Sequence, residues 1–321
     1  MKKYVPVIHG GSDDRPDEAD TVSTAGVICD VLQTLGYESD VIFVDLDFSV
    51  FERLAERQPF AVFNLVESIC GDGRLGPMAC QMLEHHRLPY TGAGSAAYFQ
   101  SNSKLLTKTL LGANKLPTAD WWFDTVPADR KVIVKSVYEH ASYGMDQGSV
   151  VEGIAAAREI STREARFGGR FFAEEYIGGR EFNVSIFETD SGPVVLPIAE
   201  MCFNGFPKNS YPIIDYKAKW DETSDAYQQT KRAFGVQESD PELAESLRLL
   251  CLGCWTAADL SGYARVDFRL NSASRINILE INANPCLAPD AGFAAALDIA
   301  GISYSDGIAA IVNTARRSQR N

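Results

Sequence analysis

Clustered positive charge is missing from this chain of 321 residues: 43 Asp and Glu outweigh 30 Lys and Arg, for a net charge of −13. Nucleic acid and anionic membrane surfaces both recruit basic clusters, so neither is expected as a partner. A small polyanion stays open, because it needs only a few placed cations and a metal. No apolar run approaches the length that spans a bilayer. The opening MKKYVPVIHGG carries two lysines, but its apolar stretch is too short for a signal peptide and fits a first strand. Seven cysteines, an odd number scattered along the chain, build no disulfide framework. The expectation is a soluble protein of a reducing, cytoplasmic compartment. Absent too are the phosphate loop GxxxxGKS/T and the dinucleotide fingerprint, which Gly10-Gly11-Ser12 does not match. Any nucleotide must be held by other means. No internal repeat or low-complexity tract occurs.

What is present is enough apolar material for buried cores, 45% hydrophobic with 17 Phe, and a length that predicts two or three domains. The chain is organised around ARVDFRLNSASRINILEINANP, Ala264 to Pro285. Its two alternating runs, Tyr263–Leu270 and Ile276–Ile281, predict an antiparallel pair joined by a polar turn. That pairing can gather Asp267, Glu280 and Asn282 beside Arg265. Two carboxylates and an amide are hard-cation chemistry, suited to Mg²⁺ that is completed by water and substrate phosphates.

Before this stretch, strands at Tyr4–Ile8, Val41–Val44 and Phe60–Phe63 alternate with helices around Val22–Leu35, Phe48–Glu56 and Leu75–His86. Such alternation predicts a parallel α/β sheet with a site at the strands' carboxyl ends, where Gly10-Gly11 and Glu67–Gly73 fall. A boundary is expected near Gly94. A helix over Lys104–Leu111, strands Asp120–Phe123 and Val132–Val134, a mobile loop over Ser136–Gly148, a helix over Val151–Glu159 and a strand Phe171–Tyr176 make a second, α+β unit. The third begins near Arg180 with strands Glu181–Glu188 and Val194–Ala199. Cys202–Glu222 is long, Gly/Pro/Asn-rich and aromatic, and reads as a functional loop or lid. A helix over Pro241–Leu260 precedes the central hairpin. Helices Ala294–Ile299 and Asp306–Ala315 close the chain, with a basic frayed tail at Arg316–Asn321.

Eight segments in this order carry a family pattern: VFNLVE with GDG (Val62–Gly73), LPYTGAGS, Ser103-Lys104 leading to LPT, Val134-Lys135, EEYIGGREF (Glu174–Phe182), DYKAKW (Asp215–Trp220), ARVDFRL and LEINANP. The chain resembles the ATP-grasp ligases, and among them the D-alanine–D-alanine ligase group. The resemblance implies a three-domain ATP-grasp fold, α/β and α+β: an N-terminal parallel α/β (pre-ATP-grasp) substrate-side domain over 1–94, a small central subdomain over 95–179, and a C-terminal subdomain with metal site and lid over 180–321. By motif position, Lys104 and Lys135 would meet the phosphates of ATP. Glu174 and the backbone of Ile177 would hold adenine, and Glu181 the ribose hydroxyls. Lys219 would reach the γ-phosphate from a closing lid. Asp267, Glu280 and Asn282 would hold two Mg²⁺ ions, with Mn²⁺ a workable replacement. Arg265 would stabilise the oxyanion when an amine attacks an acyl phosphate. The implied partners are small carboxylate and amine substrates and a second copy of the chain in a homodimer.

The nucleotide half of the pattern is intact and the amino-acid half is not. Asp20 stands near the family's ammonium-binding glutamate, Glu67 where a histidine is usual, and Ala141 beside His140 where a serine is usual. Trp220 replaces a tyrosine, Cys286 a glycine, and Ala291 lies near the place of a serine. Changes confined to one pocket argue for a different substrate, and added acid at Asp20 and Glu67 points to a cationic or amine-bearing one. The expected function is an ADP-forming carboxylate–amine ligase with an altered amino-acid pocket, making amide bonds in secondary metabolism. A genuine D-alanine–D-alanine ligase of peptidoglycan synthesis and a catalytically silent ATP-binding regulator are the alternatives. Cys251-Leu-Gly-Cys254 has CxxC spacing but lies in a patterned helix with no second pair, so no metal is expected there.

Overall fold

The computed structural model describes residues 2–12, 14–207 and 209–315, and the expected basic tail lies outside them. The described residues form three sheets. In the first, β1 (Val7–His9) runs between β2 (Val41–Phe43) and β3 (Phe63–Asn64), all parallel, in the order β2-β1-β3. Helices Pro16–Thr34 and Ser49–Arg57 make the crossovers that parallel pairing requires.

The second sheet is antiparallel: β4 (Trp121–Trp122), β5 (Lys131–Ser136), β6 (Val150–Glu152) and β7 (Phe171–Glu175) lie in the order β4-β7-β5-β6. The third holds β8 (Glu181–Thr189), β9 (Gly192–Val195), β10 (Ala199–Phe203), β11 (Thr230–Ala233), β12 (Tyr263–Leu270) and β13 (Ile276–Asn282). Its order is β11-β10-β8-β12-β13, with β9 folded back on β8. Alternation in β12 puts Ala264, Val266, Phe268 and Leu270 into a core shared with Phe182, Val184 and Ile186 of β8.

The cores run together across the sheets. Leu32 and Ile28 of the first helix pack with Tyr263, Phe293 and Val312 from the C-terminal part. A parallel bridge joins Thr118 to Ile278, where the Thr118 hydroxyl donates to the Ile278 carbonyl at 2.8 Å. These contacts leave one deep cleft where the three sheets meet.

Several elements differ from expectation. The helix expected from Val151 starts only at Gly153, because Val150–Glu152 pairs with Lys131–Ile133. Val194–Ala199 is two strands, broken around Pro197, which has no N–H for a ladder. The long Cys202–Glu222 loop begins as β10 and contains a helix, Tyr216–Trp220, capped by Asp215, whose carboxylate accepts from the Ala218 N–H at 2.9 Å. A helix over Ser95–Asn102 was not anticipated.

Candidate active site

The site begins with strand alternation. Arg265, Asp267 and Arg269 share one face of β12, and cross-strand register puts Asn282 opposite Arg265 and Glu280 opposite Asp267 on β13. On the other side, β8 places Asn183 opposite Asp267 and Glu181 opposite Arg269. One sheet face therefore carries these seven polar side chains, with Ser185 of β8 beside them opposite Arg265, while the alternate residues fill the core. A register shift between Asp267 and Phe268 marks a bulge beside the carboxylates.

The polar face is tightly bonded. Arg265 donates to both oxygens of Asp267, at 2.7 and 2.8 Å. Asn183 donates to Asp267 at 2.8 Å, and Asn282 to Asp267 and Glu280 at 3.1 and 3.3 Å. Lys104, from the first turn of helix Lys104–Ala113, reaches to 4.0 Å from Glu280 and donates to the Glu139 carbonyl at 2.7 Å. Burial opposes the charge of Glu280, but Lys104, His140, Arg265 and Lys135 outweigh it and hold the carboxyl well below its usual range. Burial and the adjacent Glu280 push its partner Asp267 the other way, despite Arg265. Two close carboxylates and an amide on rigid strands fit a hard divalent cation. Among the described residues no group of three or more His, Cys, Asp or Glu could hold a metal ion, so a cation here would depend on the two carboxylates, the amide and oxygens supplied by substrate or water.

The second sheet supplies the facing wall. Glu174 on β7 is buried between Lys108 at 3.1 Å and Lys135 of β5 at 3.3 Å. Burial disfavours its charge, yet the two lysines hold its carboxyl below the usual range. Its side chain, expected at adenine, is thus committed to two ammonium groups in this structure. Glu181, expected at ribose, holds Arg269 at 2.7 Å, and Arg269 also donates to the Ile177 carbonyl at 2.6 Å and to that of Pro212. Lys108, Arg269 and Asn183 were not anticipated. For the last two the signal was spacing: Asn183 and Arg269 lie two residues from Glu181 and Asp267, on the same strand faces.

The lid expected over Cys202–Glu222 lies against the loop after β5. Trp220 donates through Nε1 to the Ala141 carbonyl at 3.0 Å, and the Ser142 hydroxyl to the Ile214 carbonyl at 2.6 Å. Lys219 projects into the cleft from the lid helix. The half-buried His140 imidazole meets Asn102 at 2.9 Å, and desolvation together with Lys104 brings it down to about 4, which favours the neutral ring.

The N-terminal sheet closes the far end. A Cβ at Gly10 would stand 2.0 Å from the Ser68 carbonyl oxygen, so glycine lets the Glu67–Ser68 segment lie against the end of β1. Glu67 and Asp20 face the cleft, and the Cys286 thiol donates to Asp20 at 3.1 Å. Burial and then Asp20 push that thiol up to about 12, which leaves it an unreactive donor. The cleft encloses about 610 Å³. It brings together every residue expected from sequence: Asp20, Glu67, Lys104, Lys135, His140, Glu174, Ile177, Glu181, Lys219, Arg265, Asp267, Glu280, Asn282, Cys286 and Ala291.

Residues 127–313 match the family model described as D-ala D-ala ligase C-terminus. A D-alanine–D-alanine ligase of Acinetobacter baumannii is 27% identical over 96% of this chain and 94% of its own length. An uncharacterised Sinorhizobium fredii protein, y4sG, is 29% identical over 89% of this chain and 85% of its own. Among solved structures, a D-alanine–D-alanine ligase from Bacillus anthracis complexed with ATP has the same fold, with a TM-score of 0.77 at 20% identity over 99% of both chains.

Proposed function

We propose a function from one premise: the chain belongs to the D-ala D-ala ligase C-terminus family, and is an ATP-grasp ligase that forms C–N bonds. The finer reading is an ADP-forming ligase that activates a carboxylate as its acyl phosphate and joins it to an amine, with an amino-acid pocket that departs from the family pattern. The observation that carries it is the shared strand face of Arg265, Asp267, Glu280 and Asn282, set in one cleft with Lys104, Lys135 and Lys219.

A carboxylate is a poor electrophile because resonance spreads its charge, and phosphorylation gives it a leaving group. Divalent ions on Asp267, Glu280 and Asn282 would neutralise phosphate oxygens and align them for transfer. Lys104 and Lys135 hold positive charge beside that point, and Glu174 fixes Lys135 in place. Arg265, locked by two hydrogen bonds to Asp267, presents its remaining N–H groups to the oxyanion formed when the amine attacks. The Trp220–Ala141 bond keeps the lid against the loop, which shields an acyl phosphate from water.

Asp20 and Glu67 on the far wall, with Cys286 and Ala291 near them, support a substrate pair other than two D-alanines, in amide-forming secondary metabolism. The similarity to D-alanine–D-alanine ligases along nearly the whole chain supports the second reading, a ligase of peptidoglycan synthesis. ADP release is measured over single and paired amino acids and amines, with mass spectrometry of the product. Efficient turnover of D-alanine alone refutes the altered pocket. Tight ATP binding with no ADP release from any pair refutes catalysis and favours a silent regulator.

A further inference from the structure

The loop after β5 has a shape that its own backbone does not favour. Ala141 and Ser142 both take positive φ, 56° and 62°, where a Cβ is crowded, and Gly144 follows at 69°. Such residues persist only where their surroundings fix them. The fixing group is Arg163, on the helix Gly153–Phe167 and only 3% exposed. Its Nη1 donates to the Gly144 carbonyl and its Nη2 to Asp146 at 2.7 Å, while Nε lies 2.7 Å from Glu159, one turn back. A guanidinium buried this deeply is costly unless an oxygen meets each nitrogen, so the arrangement has one defined geometry.

The same stretch carries the lid on its other side. Besides the bonds from Ser142 to Ile214 and from Trp220 to Ala141, the Tyr216 N–H donates to the Met145 carbonyl at 3.1 Å. Gln147 exchanges two hydrogen bonds with the Tyr211 backbone, at 2.8 and 3.0 Å. Ala141, Ser142, Met145 and Gln147 thus bond to the lid, while Gly144 and Asp146, between them, are gripped by Arg163. Arg163, Gly144 and Asp146 are not among the residues that line the cleft. The arginine therefore does not touch substrate, and its effect has to pass through the loop. Without it, the lid would close on a rail that is itself loose.

We propose that Arg163 is a positioning residue that holds the 141–147 loop in the shape to which the lid docks, and so keeps water from the acyl phosphate. Water that enters attacks the acyl carbon and breaks its bond to the phosphate oxygen. That returns the carboxylate, releases inorganic phosphate and a proton, and leaves an ADP with no amide to match it. This rests on the ligase reading of the same cleft.

The test compares wild type with Arg163→Ala, Arg163→Lys and Asp146→Ala, which removes only the half-exposed partner. Backbone hydrogen exchange is followed in Mg²⁺, with and without the non-hydrolysable analogue AMP-PNP. Arg163→Ala should speed exchange about tenfold or more in 141–147 and in 211–220 alike, and leave the β12–β13 hairpin unchanged. The other two variants should give smaller increases in the same two segments, and they decide the matter if Arg163→Ala does not fold. With the acid–amine pair that releases ADP fastest, Arg163→Ala should lower kcat about tenfold while the KM for ATP stays within about twofold. It should also raise the ratio of ADP to amide from near one to about two or more, with partial rescue by Arg163→Lys. A loss of folded enzyme alone would lower ADP and amide together and leave that ratio unchanged. Unchanged exchange in 211–220, faster exchange across the whole chain, or an unchanged ratio overturns the proposal. If no pair releases ADP, the ligase reading fails, and exchange alone decides whether Arg163 holds the lid's docking loop.

Discussion

Replacing Glu67 by Gln should remove a loss of stability that the wild type suffers as pH rises through neutrality. Glu67 lies just past β3, facing the cleft. Burial pushes its carboxyl from the ordinary 4.5 up to about 7, with Lys219 opposing and Asp20 and Asp17 reinforcing. The folded protein therefore holds this proton more tightly than the unfolded chain does. Between about pH 4.5 and 7 the folded state binds more protons, so its stability is highest below that window and falls as pH rises through it. The full gap corresponds to about 3 kcal/mol, and solvent in the open cleft reduces it to about 1–2 kcal/mol. Glutamine keeps the shape and cannot ionise. Urea unfolding at pH 5, 6, 7 and 8 should show Glu67→Gln gaining on wild type by that amount from the acid to the alkaline end. Parallel stability curves across the range would refute the reasoning. A cationic substrate should also lower this carboxyl and release a proton on binding, which calorimetry in two buffers of different ionisation enthalpy detects.

Glu280→Ala removes a carboxylate from the metal set and should abolish turnover; unchanged ADP release would refute the metal assignment. Arg265→Ala should lower kcat about a hundredfold to a thousandfold with little change in the KM for ATP, as loss of an oxyanion donor does, and an unaltered kcat sinks that role. Lys108→Met removes one partner of the buried Glu174, and should cost about 3–5 kcal/mol in urea unfolding. Pairing it with Glu174→Gln should restore part of that loss, and additive losses would contradict the ion-pair account.

Much of the fold was legible because local pattern and pairing agree. The alternation of Tyr263–Leu270 and Ile276–Ile281 survives as β12 and β13, since a shift of one residue would turn Val266 and Phe268 out of the core. The same alternation made Asp267, Glu280 and Asn282 readable as a set. Errors fell where a distant partner overrides a local signal. Val150–Glu152 continues a helical pattern in sequence but is a strand because β5 lies beside it. Tyr216–Trp220 sits in a segment rich in loop residues, yet Asp215 caps it into a helix.

The site divides along the same line. The carboxylates and amide of its phosphate end are neighbours in one hairpin, so spacing alone groups them, while the lysines beside them come from other segments and are tied to them by motif order. Its far end is assembled from the first helix, the turn after β3, the loop after β13 and the edge strand β11, four segments that touch only in the folded chain. Asp20 and Cys286 are 266 positions apart and hydrogen-bonded at 3.1 Å. Arg232, exposed like its neighbours on β11, reads in sequence as an ordinary solvated cation, yet it lies on the rim of this cleft. Residues that choose the substrate thus leave the weakest trace in sequence: each comes from a different segment, and no single strand or helix period ties them together.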